Sequence, residues 1–334
     1  MNSWKTKIAK VHFILIYLIL IITIKLKNLE MGNKMKNEFI DLDITNELKR
    51  KNSHINNNKT GKNNNSSSKC YSPSDNSVKN IIHLVFTRFL IEFYYVKNFS
   101  TNTIYQNEYI SNGIRVLKKY LLPSLENQSC KKFIWVLILG DKANKTFVES
   151  KLNNEFSFEY HIMYRKYFKN YVRKIAKGSD ILITTSIDFD DMIYYDAVND
   201  VRKAININKP MILYGYNRGV YYFEEFGNFF EFYMTYNNEG AMSIFHSLII
   251  VLKKVNDVYI ISDIGGHNKI RKRLLENYKS FGIKNLDYEP AIFDAGDPKF
   301  IYVRQNFSCT YKNHRNVIKY LKIYNFNLTN FFGN

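Results

Sequence analysis

The stretch Asp180–Asp196, DILITTSIDFDDMIYYD, decides how this sequence is read. It begins as an apolar run and then sets Asp188, Asp190 and Asp191 within four residues of one another. Carboxylates so close repel, and keeping all three ionised requires a cation or a wet cleft to offset them. Two readings follow: a ligand or metal site, or a solvated acidic loop. The surroundings of the stretch bear on the choice.

On either side, strands and helices alternate. IIHLVFT (81–87) is a short, β-branched apolar run, the mark of a buried strand. Ile110, Ile114, Leu117 and Leu121 recur at helical spacing, with Pro123 expected to stop that helix. FIWVLIL (133–139) and FEYHIMY (158–164) read as the second and third strands, the second ending in Gly140-Asp141. A basic amphipathic helix with Tyr171 and Ile175, closed by Gly178, precedes DILITTS, the fourth strand. A helix carrying Val198, Val201 and Ile205 leads to PMILYGY (210–216), the fifth. The alternation predicts an α/β fold: a mainly parallel sheet with helices on both faces. Ligands of such sheets dock outside the carboxyl ends of the strands. The three aspartates stand there, and Thr87-Arg88 and Asp141 stand at equivalent ends. Two carboxylates two residues apart suit a hard divalent cation, Mg²⁺ or Mn²⁺, that bridges to a diphosphate.

Bulk composition is compatible with this. A chain of 334 residues, 46% hydrophobic and 16% aromatic, can bury a large core. Its net charge of +18 admits nucleic acid, acidic glycans or anionic membranes as partners. It contains no Arg-rich stripe and no RNA-binding signature, so nucleic acid is not expected. Cys70, Cys130 and Cys309 fit no metal spacing and leave at least one thiol unpaired.

The N-terminus reads as a targeting segment. VHFILIYLILIITI (11–24) is almost wholly apolar, follows Lys5, Lys7 and Lys10, and precedes no small-x-small cleavage site. Residues 1–30 are therefore expected to be a signal anchor in the membrane, with a start at Met31 or Met35 as the alternative. Residues 31–79, with KNSHINNNKTGKNNNSSSKC, lack apolar periodicity and are expected to be a disordered stem. A folded domain over 80–334 follows. In a eukaryote this layout implies a single-pass, type II protein of the endoplasmic reticulum or Golgi. Sequons at Asn98, Asn127, Asn144 and Asn306 add little, since an Asn-rich chain makes many by chance.

From residue 81 to 310 the sequence resembles a glycosyltransferase of the GT-A type, and more narrowly the rhamnosyltransferase family of bacteria and some eukaryotes. The segments that carry the resemblance are HLVFTRF, LLPSLENQSCKKFIWVLILGD, TTSIDFDD and FIYVRQNFS. The resemblance implies a Rossmann-like GT-A domain, a nucleotide-sugar donor and a glycan or glycoconjugate acceptor. IDFDD stands where the family has Asp-x-Asp-Asp, Arg88 in its Thr-Arg-Phe, and His267 at its late His near a helix start. Ser186 stands where the family has Arg, a departure that leaves the donor sugar open.

Roles follow for particular side chains. Asp190 is the expected metal ligand, with Asp188 serving the metal, the donor ribose or the sugar, and Asp191 in support. Arg88 and Asp141 are expected to hold the nucleotide, Arg88 through its phosphate-matching fork. His267 is either a third metal ligand or a helix-terminal cap. The aromatic stretch 214–233 carries Glu224, Glu225 and Glu231. It is either an acceptor wall that supplies a general base from Glu224 or Glu225, or a core hairpin with a solvated acidic edge. Three readings are thus set out: a membrane-anchored, metal-dependent glycosyltransferase; a GT-A-fold binding protein that has lost catalysis; and, remotely, a basic nucleic-acid-associated protein.

Overall fold

The structure is a computed structural model. It describes residues 70–73, 78–90, 107–152, 156–216, 218–233, 245–255, 257–258, 288–293, 298–304, 323, 325–326 and 328, with backbone alone for 232–233 and 288–293. Two compact units divide the described chain. One takes the residues up to Tyr222 and from Phe229 on; the other has Phe223–Asn228, the turn of a hairpin.

The larger unit is built on a seven-stranded sheet. In chain order its strands are β1 (Ile81–Phe89), β2 (Ile134–Leu139), β3 (Glu159–Tyr164), β4 (Ile181–Asp188), β6 (Met211–Tyr216), β9 (His246–Val251) and β10 (Tyr288–Phe293). They lie in the order β10-β6-β9-β4-β1-β2-β3. All neighbours run parallel except β9, which is antiparallel to both β4 and β6. The five expected strands are all present. The antiparallel β9, HSLIIV, is not among them, because a short apolar run without alternation fixes neither element type nor direction.

Both faces of the sheet are covered, which is why its central strands are uniformly apolar. Val85 and Phe89 of β1, with Trp135 and Leu137 of β2, point to one face. There they meet α1 (Asn107–Lys119), α2 (Leu121–Glu126), α3 (Lys145–Leu152) and α5 (Ala197–Lys203). Leu84, Phe86 and Val136 point to the other, against Phe168, Val172 and Ala176 of α4 (Arg165–Ala176). These three residues recur every four positions, so α4 needs only one apolar stripe. Its stop is the expected one, with Gly178 at φ 83° in the left-handed conformation that ends helices. Pro123 does not stop a helix. It sits in the first turn of α2, where a missing N–H costs nothing, and its carbonyl accepts from Asn127 N–H at 3.0 Å.

A second, four-stranded sheet has the order β5-β11-β7-β8, from β5 (Met192–Ile193), β7 (Arg218–Phe223), β8 (Asn228–Tyr233) and β11 (Phe300–Arg304). Here β11 comes against Gly219. A Cβ at that position would lie 2.3 Å from the Phe300 ring, so the approach requires glycine.

Chain ahead of β1 is tied to the larger unit. Cys70 is disulfide-bonded to Cys130 across 60 residues. Tyr71 N–H donates to Asn199 Oδ1 at 2.8 Å, and Arg202 Nε donates to Tyr71 O at 3.0 Å. The apolar stretch 11–24 and most of the expected stem lie outside the described residues. The expected single-pass membrane location is overturned: among the described residues, no helix is long and apolar enough to cross a membrane. α1, with 13 residues, reaches about 20 Å against a hydrocarbon core of about 30 Å, and only one of its faces is apolar.

Between β1, β4 and β9 runs a buried polar chain. His83 Nε2 lies 2.9 Å from Thr185 Oγ1, which lies 2.7 Å from Ser247 Oγ. Burial, helped by the charge of Arg202, lowers the His83 pKa from 6.5 to about 3. The folded state therefore holds the imidazole neutral, while the unfolded chain takes up a proton below 6.5. Stability from this group is complete above 6.5 and declines as pH falls toward 3. Between pH 6.5 and 5 the loss is about 2 kcal/mol in urea unfolding, and His83→Asn flattens the dependence by one proton. An unchanged slope in that variant would refute the assignment. Reducing Cys70–Cys130 is expected to lower the unfolding free energy by about 4 kcal/mol from loop entropy, and Cys130→Ala to match it. Equal urea midpoints with and without reductant would show that the bridge constrains nothing.

Candidate functional site at the carboxyl edge of the sheet

The order β3-β2-β1-β4 means that the chain steps outward from β1 through β2 to β3 and then returns to β1's other side. The strand order reverses between β1 and β4, and open α/β sheets bind ligands in the crevice beyond the carboxyl ends of strands at such a point. The register of the two strands sets Arg88 beside Asp188 at that edge. Arg88 Nη2 donates to Asp188 Oδ1 at 3.4 Å, with the side chains 17% and 31% exposed. The pair is thus open to the crevice. Beyond β1, Leu90 is buried with φ 56°, a left-handed conformation that costs a non-glycine residue about 1–2 kcal/mol.

Past Asp188 the acidic loop is fastened on two sides. Phe189 packs on Phe89, the ring centroids 5.4 Å apart and edge to face. Asp191, fully buried, accepts from Val303 N–H at 3.0 Å. This bond exists because β11 pairs antiparallel with β5, Ile301 opposite Met192, which carries Val303 back alongside the loop. Next in the chain, Arg304 is 2% exposed, with Nη1 4.0 Å from Asp191 Oδ1. Burial, then the nearby charge of Asp190, pushes the Asp191 carboxyl well above the usual range, and Arg304 pulls the other way. Two of the three clustered carboxylates therefore have an arginine against them, one from β1 and one from β11.

The remaining expected residues are spread more widely. Asp190 is buried beside Asp191. Asp141 is exposed in the turn after β2, one strand over from Arg88. Ser186, near the end of β4, is opposite His246 of β9, and His246 in turn is opposite Gly215 of β6. Glu224 and Glu225 lie in the β7–β8 turn, in the smaller unit, where Phe226 and Gly227 N–H groups both donate to Phe223 O. The stretch forms a hairpin, with Glu224 and Glu225 half-buried in its turn. Glu231, on β8, accepts from Arg218 Nη2 at 2.8 Å. His267 lies outside the described residues. Sequence reasoning assigned Arg304 no role: it stands in FIYVRQNFS, quoted only for resemblance, and one arginine among 48 basic residues carries no signal.

Among the described residues, no three His, Cys, Asp or Glu side chains gather into a group that could hold an ion. Asp188 is engaged by Arg88, and Asp191 by Val303 N–H. The donors present do not fit a resident Mn²⁺ or Mg²⁺, and no chemistry is derived through one.

No family model matches this sequence, and no curated protein matches it. Among solved structures, the chain is similar to a protein described as a nucleotide-diphospho-sugar transferase from Desulfovibrio desulfuricans. The identity is 10%, the match covers 64% of this chain and 80% of that one, and the TM-score is 0.32. It is similar also to a protein described as a glucose-1-phosphate thymidylyltransferase from Bacillus anthracis (8% identity, 75% and 98% covered, TM-score 0.36). A third is the inositol-1-phosphate CTP transferase from T. maritima (8%, 68% and 86%, 0.28). Likenesses this loose carry no argument about what the chain does, and none supports rhamnosyl transfer in particular. The mixed α/β fold with its mostly parallel sheet stands on the strand pairing itself.

If Asp191 braces the loop against β11, Asp191→Asn keeps an acceptor for Val303 N–H, and Asp191→Ala does not. The alanine variant also strands a buried guanidinium, so it is expected to lose about 3–5 kcal/mol in chemical denaturation. The asparagine variant is expected to lose clearly less. Equal losses would mean that the carboxylate holds nothing in place.

Proposed function

We propose that this chain is a nucleotide-sugar-dependent glycosyltransferase whose donor lies in the crevice between β1 and β4. The observation that carries the reading is the register that sets Arg88 against Asp188 at the point where the strand order reverses. An arginine half-open to such a crevice presents a planar fork matched to phosphate oxygens. A carboxylate beside it keeps that fork oriented before the ligand arrives, or accepts from the donor's ribose hydroxyls.

The reaction is a displacement at the anomeric carbon. An acceptor hydroxyl oxygen bonds to that carbon, and the bond from carbon to the diphosphate oxygen breaks. The hydroxyl proton passes to a general base. Arg88 offsets the charge that develops on the departing diphosphate. Asp190 and Asp191 shape the loop under it, and Asp141 borders the nucleotide. A glycan or glycoconjugate as acceptor, and rhamnose as the sugar, rest on the family resemblance alone. Ser186 in place of the family's arginine marks either weakened donor binding or a changed donor, and leaves the sugar open. A divalent cation belongs to the same resemblance and enters no step here.

The test is turnover of a panel of nucleotide-diphosphate sugars by the full chain, with product release followed by chromatography. One or more donors is expected to be consumed. Arg88→Ala is expected to weaken nucleoside-diphosphate binding about 10- to 100-fold, the loss of a charge-assisted bond. Its melting temperature should fall only modestly, since an ion pair that is partly exposed, at 17% and 31%, contributes limited stability. Wild-type-like affinity in Arg88→Ala, or consumption of no donor at all by the native chain, would remove this reading.

A further inference from the structure

Arg304 has more donors than partners. Its guanidinium lies over the Tyr302 ring, Cζ 2.9 Å from the centroid, with Tyr221 6.0 Å away. Nη1 donates to Val303 O at 2.7 Å. Its approach to Asp191, 4.0 Å, is beyond hydrogen-bond range, so no hydrogen bond joins them. Among the described residues, Nε and Nη2 are buried without an acceptor, and Asp191 Oδ2 is buried without a donor.

Such groups are rare in folded proteins, and each costs about 1–3 kcal/mol while left unmade. Their arrangement is informative. Nε–H and an Nη2–H share one edge of the guanidinium plane, and together they form the two-pronged fork that takes a carboxylate or phosphate bidentately. Tyr302 fixes the plane and Val303 O fixes the opposite edge, so the fork is held ready before anything binds. Lysine in the same place would offer a point charge and no fork.

We propose that Arg304 is a second oxyanion-binding residue of this site, which takes a phosphate group of the ligand on its Nε/Nη2 edge. This rests on the reading of the crevice as a nucleotide-sugar site and deepens it. Arg88 comes from β1 and Arg304 from β11, on either flank of the acidic loop, and two phosphates of one diphosphate are a ligand of matching charge. The ligand class is an inorganic or nucleoside diphosphate. Because the Nε/Nη2 edge is shielded from bulk water, hydrogen bonds made there are stronger than those on an open surface.

The experiment uses the full chain with inorganic pyrophosphate as probe, binding measured by calorimetry and folding by thermal melting. Wild type is expected to bind, and Arg304→Lys to bind at least tenfold more weakly while it still melts cooperatively. If Arg304→Lys does not fold, Tyr302→Leu takes its place, since it removes the ring that holds the guanidinium without touching charge; it is expected to bind several-fold more weakly. Lys169→Ala, on the exposed face of α4, is the control for unspecific attraction to a chain of charge +18. Wild-type affinity in the folded Arg304→Lys or Tyr302→Leu chain would overturn the proposal, as would an equal loss in Lys169→Ala. Either result leaves Arg304 as a structural partner of Asp191 alone. Arg304-dependent pyrophosphate binding without turnover of any nucleotide sugar would keep this inference and remove the functional reading. Turnover with Arg304-independent binding would do the reverse.

Discussion

Three carboxylates at the carboxyl end of one strand are the constraint around which the rest of this site is arranged. Left together they repel, and two of them are largely out of water. The fold answers with arginines from two other strands. Arg88 comes from β1 by parallel register, and Arg304 comes from β11 by an antiparallel one. Neither cation is adjacent in sequence to the acids it meets. The acidic loop is therefore held only if both sheets are correctly paired, and the second sheet serves the crevice as well as its own core.

That arrangement also separates the work of the aspartates. Asp188 is partly exposed, beside Arg88 at the edge of the sheet. Asp191 is buried and bonded to Val303 N–H, placed to fasten. Asp190 lies between them. A stretch that looks like one motif in sequence is thus two kinds of carboxylate in the structure, sorted by what crosses over each.

Much of this was legible in the sequence, for reasons that can be named. β1, β2 and β4 are apolar on both faces and bounded by polar residues, so their existence and type follow from the pattern. The helices between them show one apolar stripe each, and Gly178 marks an end. From those elements came the expectation that Asp188, Asp190 and Asp191 lie where ligands dock; strand pairing sets Asp188 at the carboxyl end of β4, with Asp190 and Asp191 in the loop after it. Pro123 was misread because the same residue that breaks a helix interior is welcome in a first turn. β9 was invisible because direction is a property of the partner strand. The Cys70–Cys130 bridge could not be chosen among three cysteines by spacing. Arg304 needed β5 and β11 to be brought together before its role could be seen.

The central claim is that a nucleoside diphosphate lies against Arg88, the acidic loop and β11. Hydrogen–deuterium exchange of the full chain with and without a saturating nucleoside diphosphate tests it directly, since amides beneath a bound ligand exchange more slowly. The account predicts new protection in three separated stretches, 86–90, 188–193 and 300–304, with the far ends of the same strands unchanged. Protection confined to other segments, or none in these three when the nucleotide is demonstrably bound, would contradict it.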